Sequence, residues 1–470
     1  MGDVGRILNT ARDAILANLT AMNVTGSNVA NVNTPGYTRL QSVFGSVGIF
    51  DTTTDQQQFG VKVTSIERVY DKYLDAQVVQ QEQYGAYSQS QLDVLNNVES
   101  IFNESTGGGI NDLLSQFWGA WSQLSANPSD ITERDSLVSI SQSLASMFNQ
   151  KANELINTQN DTNNEISSDV TELNNDLAQL ADYNDKIVQI EHGGGTASDL
   201  RDKRTELLKN ISQIVDVNYY EEADGSLNVF LSNGKSLVEG TNVWDLKAVP
   251  NTNNSSYDDI VFKDDTTNKA INGDLKGGKL AGLLYVRDTQ VAGYLNDLNS
   301  MASTIITKVN ALHSSGYDLN GNAGGNFFST ASTLAKDMQV DPSIVADVTK
   351  IAAGATVNGD GQNASSIAAI QDDASLMGGG KMTIDNFYES LTSRVGQDVV
   401  DAQNSLDQQT SVMNQLQNQR DSVSGVSLDE EMLNLIKYQA AYNAAGRLVA
   451  VVNTMMGNLM NLGIETAVSS

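Results

Sequence analysis

Apolar residues recur every seven positions at both ends of this 470-residue chain, and two such distant stripes constrain the fold more than any other feature. At the front Leu8, Ile15, Met22 and Val29 follow the period, with Val4, Ala11 and Leu19 beside them. At the back Leu428, Leu435, Tyr442, Val449 and Met456 follow it, flanked by Tyr438, Ala445, Val452 and Leu459. The repeat predicts helices whose seam must be hidden from water, so the two ends need each other or neighbouring chains. Two core helices of one globular domain would meet the same need. The stretch RLVAVVNTMMGNLMNL is apolar around much of its circumference, which makes a seam in an assembly the sharper reading.

The first helix has a hard stop in SNVANVNTPGYTR, residues 27 to 39. Pro35 disfavours helix at Thr34 and Gly36 can take a positive φ, so Asn31, Asn33, Pro35, Gly36 and Tyr37 form a turn that leaves YTRLQSVF extended. Helices follow over 71–105, 110–126 and 131–191, broken by STGGGIND and NPSD, with Asp130 and Glu133 as a capping box for the third. If continuous, that helix is about 90 Å long, which suggests a rod-shaped molecule. HGGG at 192–195 interrupts it, and SDLRDKRTELLKNISQI reads as a shorter helix.

From Val215 to about Leu284 the period changes to that of strands. SLNVFLSNGKSLVEG carries two short strands joined at Asn233 and Gly234, and NVWDLKAV and DDIVFKD continue in kind. Helix resumes at 281–313 and 384–422, around a region rich in Gly, Asn and Ser, and SGVS at 424–427 introduces the last helix. The predicted fold class is mainly α with an inserted β domain, an α+β, multidomain and elongated chain.

Chemistry finds no foothold in these residues. With 57 acidic against 28 basic side chains, a net charge of -29 repels nucleic acid and anionic lipid. Cysteine is absent, which removes disulfides, thiolate zinc sites and thiol nucleophiles together. NGKS at 233–236 and GGGKMT at 378–383 resemble the end of a phosphate loop, but Val229 and Ser375 stand where its first glycine belongs. GDGQNA at 359–364 lies in a polar loop with no clear strand before it. DLNGN at 318–322 starts like a calcium loop, yet Ala323 replaces the turn glycine and Ser329 the bidentate glutamate, so a tight turn is the better account. His192 and His313 lack partner spacing, and pairs such as Glu430 and Glu431 read as solvated helix faces. The chain is therefore read as no enzyme, with no catalytic, cofactor-binding or metal-binding residue and no cofactor. Asp3, Arg6, Arg12 and Asp13 interrupt any secretory signal, and no run of about 18 apolar residues predicts membrane insertion. A cytosolic protein, or one exported without a cleaved signal, fits equally.

SNVANVNTPGYTR resembles the signature shared by the flagellar axial proteins of rod, hook and junction. Within them, SANPSDITERDSL (125–137), DLRDKRTELL (199–208), DGSLNVFLSNGKSLVEG (224–240), NALHSSGYDLNGNAGGNFF (310–328) and GVSLDEEMLNLIKYQAAYNAAGRLVAVVNTMMGNLMNL (425–462) are similar to the hook-associated protein 1 family. They occur in the family's order along nearly the whole chain. The resemblance implies a structural role in the hook–filament junction, as a ring of copies between hook and filament that adjoins a second junction protein, with the hook protein as partner. It implies an extracellular place in the bacterial flagellum, type III secretion as an unfolded chain without a cleaved signal peptide, and a cytosolic export chaperone at the C-terminal region. It further implies that the terminal helices pair as a coiled coil in an innermost tube. That assigns 1–35 plus 427–470 to an inner domain, 36–215 plus 284–426 to a helical rod domain, and 216–283 to an inserted outer β domain.

On this reading the inner packing falls to Leu8, Ile15, Met22 and Val29 against Leu435, Tyr442, Val449, Val452 and Met456. The chain is short for the family, so a second outer β domain is reduced or missing. A flagellar hook or rod protein is the alternative, since these share the N-terminal motif. A cell-wall hydrolase and an adhesin-like surface module are the readings from other classes.

Overall fold

The computed structural model describes residues 2–51, 56–103, 108–357 and 359–468, with side chains described except at 2–3, 47–51, 56–59, 459 and 461–468. The part of the expected helix break at 105–107, the Leu459 side chain and residues 469–470 lie outside that description.

In chain order the elements are α1 (Gly2–Ala30), β1 (Leu40–Asp51), β2 (Gln56–Arg68), α2 (Lys72–Phe102), α3 (Ile110–Ala126), α4 (Ile131–His192) and α5 (Ser198–Ile214). Strands β3 (Val217–Glu221), β4 (Leu227–Leu231), β5 (Ser236–Glu239), β6 (Asn242–Val243), β7 (Leu246–Pro250) and β8 (Asp258–Phe262) follow. Then come α6 (Gly278–Tyr285), α7 (Ala292–Ser315), α8 (Pro342–Ala346), α9 (Gln362–Ala368), α10 (Ile384–Ser424) and α11 (Leu428–Val468). The chain is mainly α, with small antiparallel sheets inserted between helices. The stretch 131–191 is indeed one helix, and Asp130 accepts the Thr132 N–H at its start, at 2.7 Å.

These elements form two compact units. The first comprises Met1–Glu82, Asn174–Asp245 and Thr410–Ser470. Here the two terminal helices pair, α1 packing along α11 and against the β1–β2 hairpin. The buried line on α1 is built of small or polar residues, Ala11, Ala17, Ala21, Thr25 and Asn28, with Val24. Such side chains let helix axes approach closely. Among the described side chains of α11 the buried ones are Glu431, Ala445 and Val452, fourteen and then seven positions apart.

The hairpin β1–β2 runs in register from Leu40 opposite Arg68 to Asp51 opposite Gln56, with a bulge between Val43 and Phe44. Phe44, beside that bulge, lies with its ring 5.9 Å from that of Tyr438 on α11. The extended exit after Tyr37 was legible; the return strand was not read, although Phe59, Val61 and Val63 alternate as a strand requires.

The same unit holds the meander β3-β4-β5-β6. Val217, Leu227, Val229, Leu231, Leu237 and Val238 are buried, as are Leu207, Leu208 and Ile211 on α5. The turn between β4 and β5 is built on Asn233 and Gly234, with Gly234 at φ 83°, as its dipeptide predicts. Asn184 of α4 caps the sheet: its amide donates to the carbonyls of Leu227 and Gly240 and its oxygen accepts the Leu227 N–H.

The second unit comprises Gln83–Leu173 and Leu246–Gln409. Its core centres on α3, where Leu114, Phe117, Trp118, Trp121 and Leu124 are buried. Phe327 and Phe328 close over them, Phe327 at 5.0 Å from Trp121 and Phe328 at 6.0 Å from Phe117 between ring centroids. Strands β7 and β8 form a separate pair in this unit. The strand-rich stretch of the sequence is therefore two sheets. Between α6 and α7 the helix widens into a π segment, Val286–Val291, where the fully buried Arg287 donates to Asn163, Asp288 and the Asp258 carbonyl.

Candidate assembly site

The turn after α1 is fixed from within. The Asn31 amide donates to the Ser27 carbonyl at 3.0 Å, holding the last helical turn, and the Thr34 hydroxyl donates to Asn31 at 3.2 Å. Pro35 and Asn33 are exposed at the tip, and Gly36 sits at φ 76°, a region that β-carbons disfavour. Tyr37 then folds back, its hydroxyl donating to the side-chain oxygen of Asn28 at 2.9 Å. Burial holds the phenol above its usual range, so it stays a donor. Asn28 is 1% exposed and also brackets Leu40, accepting its N–H at 2.9 Å and donating to its carbonyl at 2.8 Å. One buried amide thus ties the end of α1 to the start of β1.

Two distant motifs seize the same segment. From α5, Asp202 accepts the Thr38 N–H at 3.1 Å and pairs with Arg68 at 2.6 Å. Glu206 reaches Gly36, where a Cβ would lie 3.0 Å from its carboxylate. From the junction of α10 and α11, Ser424 accepts the Arg39 N–H at 3.0 Å and Glu430 pairs with Arg39 at 3.0 Å. Nearby, Arg420 pairs with the buried Asp75 at 3.1 Å. NTPGYTR, DLRDKRTELL and SGVSLDE are therefore one locus in space. A cleft of 580 Å³ opens there, lined by Asn33, Pro35, Arg39, Arg420, Ser427 and Glu430 among others.

Because α1 ends where α11 begins, the pair runs antiparallel from this locus. Of the residues read as inner packing, Val452 is buried at 3% exposure. Ile15, Met22, Val29 and Val449 are half-buried. Leu8, Leu435, Tyr442 and Met456 are exposed. They join Leu16, Leu19, Met432, Ile436, Leu448, Val451, Met455 and Met460, all exposed and large. Within one chain the buried residues of the two helices are mostly small, and many of their large apolar side chains stay exposed. The signal for this is visible in the sequence as the flanking series Tyr438, Ala445 and Val452.

The remaining motifs are spent on local structure. Asp318 of DLNGN accepts the N–H groups of Asn320 and Asn322 at 2.8 and 2.7 Å, closing a turn. Asp360 of GDGQNA accepts from Ala355, Thr356 and Gln362. His313 is wholly buried: Nδ1 donates to the Gly325 carbonyl at 2.7 Å and Nε2 accepts the Ala352 N–H at 2.9 Å. Both ring nitrogens are thereby committed to the backbone. Among the described residues no helix is long and apolar enough to cross a membrane.

Family models match three parts of the chain. Residues 8–38 match "Flagella basal body rod protein" and 417–462 match "Flagellar basal body rod FlgEFG protein C-terminal", the two segments that meet at the turn locus. The class is that of the flagellar axial proteins. Residues 95–328 match "Flagellar hook-associated protein FlgK helical domain". Flagellar hook-associated protein 1 of Bacillus subtilis is 28% identical over 97% of this chain and 97% of its own length. That of Escherichia coli is 23% identical over 97% of this chain and 99% of its own. The chain belongs to the flagellar hook-associated protein 1 family, as its motifs indicated. The flagellar hook junction protein of Burkholderia pseudomallei has the same fold, with a TM-score of 0.67 over 74% of this chain and 100% of that one, at 15% identity.

Proposed function

We propose that this protein is a structural component of the extracellular bacterial flagellum that forms the hook–filament junction by assembling with copies of itself into a ring between hook and filament. The observation that carries this is the face of large apolar residues left uncovered along α1 and α11, on the helices that carry the axial-protein signatures. Leu8, Leu435, Tyr442 and Met456 contribute to the contact between copies, and Ile15, Met22, Val29, Val449 and Val452 seat the helices beneath it. The turn of Asn31, Asn33, Pro35, Gly36 and Tyr37 aims that pair. On this reading residues 1–35 plus 427–470 form the inner domain, 36–215 plus 284–426 a helical domain, and 216–283, with its two separate sheets, the outer β region. The hook protein and a second junction protein are its axial neighbours.

Export proceeds without a cleaved signal peptide, and a cytosolic chaperone covers the C-terminal face until delivery. Docking of that face orders the seam and buries it, a coupling that typically costs about 2 to 5 kcal/mol of the gross interaction energy. The role is structural and needs no turnover. Electron microscopy of cells lacking the gene, with the medium assayed for free filament protein, tests this. Hooks without filaments, together with secreted filament subunits, are the expected result. Missing hooks would assign the chain to the hook or rod instead, whose terminal signatures this chain shares.

A further inference from the structure

Exposure divides the methionines of this chain by element. Met301, Met338 and Met377 are buried in the second unit. On α11, Met432, Met455, Met456 and Met460 are between 42 and 67% exposed, and outside α11 only Met382, at 36%, is exposed among the described side chains. Met456 and Met460 stand one helical turn apart with Met455 beside them, so three thioethers lie close together on α11. Asn453, Thr454 and Asn458 are exposed among them, so water reaches these side chains. None of the buried side chains described on α1 or α11 is a methionine.

A thioether so placed is both an apolar contact group and a nucleophile towards hydrogen peroxide. Its sulfur attacks one peroxide oxygen, and an S–O bond forms as the O–O bond breaks. The departing hydroxide takes the proton of the transferred hydroxyl and leaves as water, so the sulfur is oxidised as the peroxide is reduced. The product is a sulfoxide, a polar and chiral group in place of an apolar one. On α11 this change spares the buried contacts with α1, because no methionine takes part in them. It alters the outward face, and a sulfoxide carried out of water without a donor weakens whatever contact buries it.

Resting on the assembly reading above, we propose that Met432, Met455, Met456 and Met460 form an oxidation site on the free chain, whose conversion to sulfoxides by peroxide prevents the chain from seating on hooks. The test treats the purified full chain with hydrogen peroxide and maps the added oxygen by mass spectrometry of its peptides. The treated chain is then added to hooks isolated from cells lacking the gene, and the fraction that sediments with them is measured. The four α11 sulfurs should react at least about tenfold faster than those of Met301, Met338 and Met377, with helix content unchanged. Seating should fall at least about tenfold, the equivalent of one uncompensated polar group. Methionine sulfoxide reductases should restore it. A chain with all four residues changed to Leu keeps the apolar volume without the sulfur, and peroxide should alter its seating by less than about threefold. Equal reaction at the buried methionines, loss of helix content, normal seating of the oxidised chain or no recovery on reduction would each overturn the proposal, as would an equal peroxide effect on the Leu variant. If the untreated chain itself does not seat, the assembly reading falls; if it seats and the oxidised chain seats equally, only the role of the methionines does.

Discussion

Asp202 holds Arg68 at 2.6 Å with one carboxylate oxygen and the Thr38 backbone N–H at 3.1 Å with the other, joining α5 to both ends of the excursion that β1 and β2 make from the chain. Both side chains are about nine-tenths buried, at 11% and 10% exposure. Removing one partner of such a pair strands the other charge. Asp202→Ala should therefore destabilise the first unit by about 3 to 5 kcal/mol. Hydrogen exchange checks this, with lost protection expected at residues 38–40 and 66–69 and none in α3. An unchanged rate at the Thr38 amide would contradict the assignment.

The turn makes a finer prediction. Gly36→Ala forces a β-carbon into the left-handed region and against the Glu206 carboxylate, 3.0 Å away. The carboxylate is the end of a flexible side chain and can retreat, so the cost is mainly the backbone term, about 1 kcal/mol. Tyr37→Phe removes the hydroxyl that Asn28 accepts and should cost a similar amount. Urea unfolding of the two variants and their combination measures both. A combined loss well short of the sum would mean that the turn relaxes as a unit.

His313 predicts a pH dependence in the second unit. Burial pushes the His313 pKa down from 6.5 to about 4, because the charged ring would be desolvated among Trp121 and Phe327; the Arg134 guanidinium adds to this, and the Gly325 carbonyl and the Asp341 carboxylate oppose it. The folded state prefers the neutral ring more than the unfolded chain does. The contribution is thus complete above pH 6.5 and is lost as pH falls towards 4, amounting to about 3 kcal/mol. Carboxylates titrate in the same window, so the comparison is with His313→Gln. Its unfolding free energy should fall less steeply between pH 7 and pH 4 than that of the unaltered chain, and parallel curves would count against the ring.

Exposed and buried apolar residues of the terminal helices should separate in their effects. Leu435→Ser and Met456→Ser change side chains that are 38% and 42% exposed in one chain, so monomer stability should move by no more than about 0.5 kcal/mol. Assembly onto hooks should nevertheless weaken. Equal loss of stability and assembly would mean that these residues serve the internal pairing of α1 and α11.

Local features of this fold were legible where a residue's chemistry acts on its neighbours. Pro35 and Gly36 stop α1, Asn233 and Gly234 turn β4 into β5, and the apolar spacing of Leu114, Phe117, Trp121 and Leu124 defines the buried side of α3. Features set by distant partners were not. Nothing about Thr38 announces Asp202, 164 positions away, nor does Arg39 announce Ser424. The seven-residue repeat is legible as a period, but burial within one chain follows side-chain size: Ala11, Ala17, Ala21 and Ala445 are buried, while Leu8, Leu435, Tyr442 and Met456 are exposed. Periodicity identifies faces that need covering, and which face meets which depends on the size of the side chains between them.

The most direct measurement of the central claim is complementation of a gene-deletion strain with Val452→Asp. Val452 is 3% exposed on α11, and a carboxylate there cannot be solvated within the seam. The account predicts cells with hooks but no filaments and with filament protein in the medium, while the exported variant keeps the β3–β6 sheet and the α3 core folded. Motile cells with normal filaments would contradict it.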